Sequence, residues 1–145
     1  MMLSKSCEYG LRAALYLASL DEEGYVPISA ISEELDISFP FLTKIFQKLN
    51  DAGLLNSQRG PKGGVALTKP AEDVKPYEIV VAIDGDDLFE ECVLGLPGCG
   101  DDRPCPLHDR WAEEREQVRD MFQDISLAEL AANIHEADLR LVALD

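Results

Sequence analysis

The run Gln58-Arg59-Gly60-Pro61-Lys62-Gly63-Gly64 constrains this chain more than any other segment, because neither a helix nor a straight strand can contain it. Short strand-like pieces flank it at 54–57 and 65–68, so it predicts the loop of a β-hairpin. Everything before it is helical. Leu11, Ala14, Leu15 and Ala18 recur at helical spacing over 6–20, and Ile28, Ile31 and Leu35 share one face after Pro27. Asp36-Ile37-Ser38 makes a turn, with Ser38 as N-cap of a third helix over 39–52 that stops at Gly53. A helix, a helix–turn–helix and a hairpin, in that order, make a winged helix. The expected fold is therefore mainly α with a small β-hairpin, a winged helix-turn-helix domain over 1–75.

Residues 76–145 are expected to carry a cysteine loop, a long dimerisation helix and a C-terminal tail. A short helix is predicted over 76–84. The stretch 84–104, with four glycines and two prolines, reads as loop. A longer helix starts at 105 or 106 and runs to 123. Its Leu107, Trp111, Val118, Met121 and Ile125 follow an alternating three–four spacing, interrupted by Glu114, that suits an isologous dimer seam. Beyond it, Leu127, Leu130, Ala131 and Ile134 form a weaker helical pattern.

The net charge of −15 is an awkward start for binding nucleic acid, but its distribution matters more than its sum. Residues 1–70 hold 7 basic and 8 acidic side chains, a net of −1; residues 71–145 hold 6 and 20, a net of −14. Within 36–69, Lys44, Lys48, Arg59, Lys62 and Lys69 face only Asp36 and Asp51. The basic patch coincides with the third helix and the hairpin. On a helical wheel Leu42, Ile45, Phe46 and Leu49 face inward, while Pro40, Lys44 and Gln47 point out, flanked by Thr43 and Lys48. Such a face can enter a major groove: Gln47 suits an adenine edge, and Lys44 suits guanine acceptors or phosphate. Ser38, Phe39 and Phe41 stand at the N-terminal end, the phenylalanines within reach of thymine methyls. Arg59 and Lys62 on the glycine-rich loop suit phosphate or a narrow minor groove. An ordinary solvated helix face over apolar core residues is the plainer alternative.

Cys92, Cys99, Cys105 and His108 are spaced C-x6-C-x5-C-x2-H. Three thiols in a bendable loop can converge on one centre, and thiolates favour zinc, Cu(I) or iron–sulfur clusters. The tight C-x2-C knuckles usual for structural zinc are missing. The spacing leaves iron–sulfur, zinc and redox-paired thiols all open. His108 falls within one helical turn of Cys105; His135 reads as a surface residue and Cys7 as a small helix residue.

The segment Leu3-Ser-Lys-Ser-Cys-Glu-Tyr-Gly-Leu-Arg-Ala, the helix–turn–helix over 27–55, the wing Arg59-Gly-Pro-Lys-Gly-Gly and the ending Cys105-Pro-Leu-His-Asp-Arg-Trp together resemble the IscR/NsrR-type regulators of the Rrf2 family. The resemblance covers residues 1 to about 125. It implies a homodimeric transcription factor on palindromic promoter DNA, sensing iron–sulfur status, nitric oxide or redox state. It also implies a [2Fe–2S] or [4Fe–4S] cluster on Cys92, Cys99 and Cys105. Relatives take the fourth ligand either from a histidine just after the third cysteine, matched by His108, or from a carboxylate of the other subunit, matched by Glu8. The first cysteine gap is six residues, one more than in the best-known cluster binders.

Two other readings stand beside this one: a winged-helix regulator using zinc or thiol oxidation without a cluster, and a metal-handling or protein-interaction module that leaves DNA alone. An enzyme is not expected, since no nucleophile–base pair or nucleotide loop is present. Lys5 ahead of the apolar run 13–20 loosely mimics a signal peptide, but Arg12 abuts that run and no cleavage site follows. No apolar stretch approaches the roughly 18–20 residues that span a bilayer. A cytoplasmic protein without membrane contact is expected.

Overall fold

The computed structural model describes residues 3–20, 24–97, 102–137 and 139–142. Helix α1 (Lys5–Ser19) opens at Ser4, whose hydroxyl accepts from the Cys7 N–H at 3.0 Å. Helix α2 (Ile28–Leu35) follows Pro27 and ends at Asp36, which takes the left-handed conformation (φ 55°) that lets the chain reverse. Helix α3 (Phe39–Asp51) starts under Ser38, which accepts from the Phe41 N–H at 3.4 Å. Strands β1 (Leu55–Gln58) and β2 (Gly64–Leu67) pair antiparallel, Leu55 opposite Leu67 and Gln58 opposite Gly64. Each boundary differs by one residue from the sequence expectation. The pairing reaches Gly64 because its backbone, without a Cβ, can lie flat against Val26–Pro27.

A 3₁₀ turn (Ala71–Asp73) leads to α4 (Pro76–Asp84), which has proline in its first turn and Glu78 accepting from the Lys75 N–H at 2.8 Å. One helical turn, α5 (Asp87–Glu90), interrupts the stretch expected to be all loop. Phe89 causes it: fully buried, its ring packs against Tyr77 at 4.7 Å and Phe122 at 5.8 Å between centroids. Helix α6 (His108–Gln123) begins later than the expected 105 or 106; before it, the His108 N–H closes a turn on the Cys105 carbonyl at 3.0 Å. The weak pattern of the tail becomes a full helix, α7 (Leu127–Ala137), pinned by the Leu127 N–H on the Val74 carbonyl at 2.9 Å.

The core forms where α1 meets α3, α4 and α7. Ala13 and Ala14, Ile31 and Leu35, and the inward row Leu42, Ile45, Phe46 and Leu49 are buried together with Val65 on the wing. Ile79, Val80, Ile83, Phe89 and Leu127, all beyond residue 75, belong to the same buried cluster. Among the described residues no helix is long and apolar enough to cross a membrane.

Candidate nucleic-acid interface and metal centre

Burial of one side of α3 dictates what the other side offers. With Leu42, Ile45, Phe46 and Leu49 buried, Pro40, Thr43, Lys44, Gln47 and Lys48 all stand exposed. The Thr43 hydroxyl donates back to the Phe39 carbonyl at 2.8 Å, and Gln47 Nε2 donates to Asp51 Oδ1 at 3.2 Å. Gln47 is thereby held along the helix surface. Phe39 is half exposed, as a thymine-contacting ring would need. Phe41 is placed differently. Its ring meets Tyr9 edge-on at 5.5 Å between centroids and packs against the core, so it braces α3 on α1. The same Tyr9 ring carries the Arg12 guanidinium at 5.3 Å and the Lys5 ammonium at 5.8 Å. Ser38 is exposed, its hydroxyl engaged as the helix cap.

Arg59 and Lys62 are exposed at the tip of the hairpin, where the Gly63 N–H turns back to the Gly60 carbonyl at 2.9 Å. The wing root is tied to the start of α2 by Val26 and Val65, which exchange both backbone hydrogen bonds at 2.9 Å. One surface thus carries the polar row of α3, and a hairpin fastened to the helix before it carries two further cations.

The second centre lies between α5 and α6. Cys92 is buried and Cys105 half-buried, with their sulfurs 3.5 Å apart. A disulfide needs about 2.05 Å, so this is contact between sulfurs without a bond. Cys99 lies outside the described residues. Backbone N–H groups of Leu96 and Leu94 hold the Cys92 thiol below its ordinary pKa, against burial, which raises it; Cys105 and Gly95 add to the lowering. The Leu94 N–H approaches Cys92 Sγ at 3.4 Å. Backbone donors around a sulfur favour its thiolate, the form that binds metal. His108 is buried as the first residue of α6. Glu8, in the first turn of α1, pairs with Lys5 at 3.3 Å. Among the described residues no group of three His, Cys, Asp or Glu converges as a metal site. The described donor set is therefore a close thiol pair, part of a soft-metal ligand set and not a complete one.

Of the residues read as a dimer seam, Leu107 and Met121 are exposed, Trp111 is half-buried, and Val118 packs partly on its own core. Met121 also borders an open apolar groove of about 610 Å³ between α1, α6 and α7, lined by Leu11, Leu15, Phe122, Ile125 and Leu130 among others.

Sequence reasoning missed what grips the cysteine loop. The Trp111 indole N–H donates to the Glu91 carbonyl at 2.8 Å, Arg115 Nη1 to the carbonyls of Glu90 and Glu91 at 3.0 and 3.1 Å, and Arg119 Nη2 to that of Phe89 at 2.6 Å. A signal was there to read, since 111, 115 and 119 recur every four residues and so share a helix face. His135, read as a lone surface residue, places Nε2 2.9 Å from the Ser19 carbonyl. Cys7 is fully buried, and its thiol is pushed up to about 12 by burial and by Asp84, itself bound by the Ser4 N–H and hydroxyl.

Comparison with known proteins finds relatives along nearly the whole chain. The Rrf2 family model, described as an iron-dependent transcriptional regulator, matches residues 3–133. The chain is 35% identical over 133 residues to the HTH-type transcriptional regulator IscR of Erwinia tasmaniensis, covering 92% of this chain and 80% of that protein. It is 31% identical over 141 residues to a putative HTH-type transcriptional regulator of Aquifex aeolicus, covering 96% of each. Among solved structures, T. potens IscR superposes with a TM-score of 0.76 at 25% identity, over 95% of this chain and 91% of that one. Staphylococcus aureus CymR does so with a TM-score of 0.70 at 30% identity, over 88% and 96%.

Proposed function

The chain belongs to the Rrf2 family of transcriptional regulators, and from that premise we propose that it is a homodimer on palindromic promoter DNA, controlled by an iron–sulfur cluster on Cys92, Cys99 and Cys105. Its relatives are regulators of transcription and not enzymes. The observation that carries the proposal is the thiol pair, with Cys92 and Cys105 sulfurs 3.5 Å apart and backbone N–H groups turned on the first. Hydrogen bonds to sulfur are among the levers that set cluster potential. His108 or Glu8 of the partner subunit completes the ligand set; both ligand chemistries are present, so [2Fe–2S] and [4Fe–4S] types are both accommodated.

On DNA, the exposed row Pro40, Thr43, Lys44, Gln47 and Lys48 enters the major groove, with Ser38 and Phe39 at its leading end. Arg59 and Lys62 hold the flanking phosphates or minor groove. Phe41 contributes by fixing α3 on Tyr9. Leu107 and Met121 meet the second copy, with Trp111 and Val118, which also pack on their own chain, at the edge of that seam, and the groove beside Met121 receives the second copy's apolar surface. Two-fold symmetry then sets the reading helices about one turn of DNA apart, roughly 34 Å, or a multiple of it.

When bound, an iron–sulfur cluster supplies redox chemistry that responds to iron, oxygen or nitric oxide. The chain's own part is mechanical. Cys92 follows α5, which Phe89 roots in the core, and Cys105 leads into α6. Holding Cys92 and Cys105 at a fixed separation sets how α6 leaves the winged domain, and so the separation of the two reading heads. Signal binding shifts the balance between arrangements.

Two thiols in contact also suit the alternative in which Cys92 and Cys105 sense oxidants directly. Iron and acid-labile sulfide analysis of protein purified without oxygen separates the readings. A coloured protein carrying both elements, which Cys105→Ala abolishes, supports the cluster. A colourless protein after attempted reconstitution, carrying zinc or no metal, refutes it.

A further inference from the structure

The carbonyl groups at the C-terminal end of a helix have no partners within that helix and must find them elsewhere. In α5 those of Phe89 and Glu90, with that of Glu91 beyond the helix, all accept from side chains of α6: Trp111, Arg115 and Arg119. Arg119 also pairs with the Glu90 carboxylate and with Glu116 at 3.4 Å. Cys92 is the residue that follows Glu91. On the other side of the loop, Cys105 stands three residues before α6. Both cysteines of the close pair are therefore referred to the same helix, one through the chain and the other through this grip.

We propose that Arg115, backed by the Trp111 indole, is a positioning residue for Cys92: its guanidinium bridges the Glu90 and Glu91 carbonyls and sets where the first thiol stands relative to Cys105. The inference deepens the function proposed above, since it concerns one ligand of that site. Arg115 suits the task because one guanidinium nitrogen reaches two successive carbonyls in a fixed plane, which a lysine ammonium on its flexible stem does less well. Without the bridge, the chain between α5 and Cys92 loses a charge-assisted anchor and opens locally more often, while the core around α1 keeps its packing.

The test uses the full-length dimer without cluster, under reducing, oxygen-free conditions. Alkylation rates of Cys92, Cys105 and Cys7 are followed by mass spectrometry in wild type, Arg115→Ala, Arg115→Lys and Trp111→Phe. Cys92 in Arg115→Ala is expected to react at least about tenfold faster, the low end for losing two charge-assisted hydrogen bonds. Arg115→Lys and Trp111→Phe are expected to fall between that variant and wild type, with Cys7 unchanged. After reconstitution, Arg115→Ala is expected to alter the visible circular dichroism of the bound cluster and to speed its loss. An unchanged Cys92 rate overturns the proposal, as does a parallel rise at Cys7, which marks general loosening. Should wild type take up no iron and sulfide while Arg115→Ala still exposes Cys92 alone, the positioning role stands and the cluster reading falls.

Discussion

Gly64 offers the sharpest test of how the wing is attached. Its φ of 145° lies where side-chain-bearing residues are strained, and a Cβ there would sit inside the van der Waals envelope of the Val26 carbonyl, with the Pro27 nitrogen 2.7 Å away. That carbonyl accepts from the Val65 N–H, and the Val26 N–H returns a bond to Val65, both at 2.9 Å. Gly64→Ala must break this pair of bonds or force the backbone apart. Two backbone hydrogen bonds at about 1 kcal/mol each and strain of about 1–3 kcal/mol outweigh the roughly 0.4–1 kcal/mol gained by stiffening the unfolded chain. The net loss is about 2–4 kcal/mol, a drop in Tm of roughly 10 °C for a domain of this size. Gly60→Ala is the control: φ is 104°, but a Cβ there meets nothing within 4 Å, so only strain of about 1 kcal/mol is expected. Urea denaturation of both variants decides it, and DNA retardation shows whether a loosened wing also costs affinity. If Gly64→Ala stays within about 1 kcal/mol of wild type, or matches Gly60→Ala, the contact with Val26 is not what holds the wing.

Three further outcomes are expected. Arg59→Ala and Lys62→Ala each lower the slope of log affinity against log salt by about 1 per protomer with little change in base preference, measured by fluorescence anisotropy; an unchanged slope removes the wing from the interface. Met121→Glu, at a position exposed in the single chain, converts dimer to monomer in sedimentation without lowering the monomer's helix content; a dimer that persists unweakened places the seam elsewhere. The folded Cys7 thiol keeps its proton to about 12 against an ordinary 9.0, so above pH 9 the unfolded chain binds fewer protons than the folded one. Stability therefore falls as pH rises from about 9 towards 12, and Cys7→Ala reduces that fall; parallel pH–stability curves for the two proteins refute it.

The winged helix was legible because each part obeys a local rule. The inward row of α3 follows the 3.6-residue period, Ser38 caps where a cap is needed, and four glycine or proline residues in seven allow only a loop. What escaped was set at a distance. Phe41 sits at the edge of the exposed arc, and only the arrival of Tyr9 from α1 turns it inward. The turn at α5 has little helical signal of its own, and exists because Phe89 finds a slot between Tyr77 and Phe122. The thiol pair was legible as spacing, while its hydrogen-bond support depends on loop backbone that no periodicity describes.

Affinity for a promoter fragment, compared at fixed salt between cluster-loaded and cluster-free protein and against Cys105→Ala, tests most directly whether the cysteine centre governs DNA binding. Loading is expected to change affinity at least about fivefold, the low end of coupling between linked sites, and Cys105→Ala is expected to hold the cluster-free value under every condition. Protein that carries iron and sulfide yet binds the fragment equally well in both states would contradict control of the reading helices by Cys92, Cys99 and Cys105.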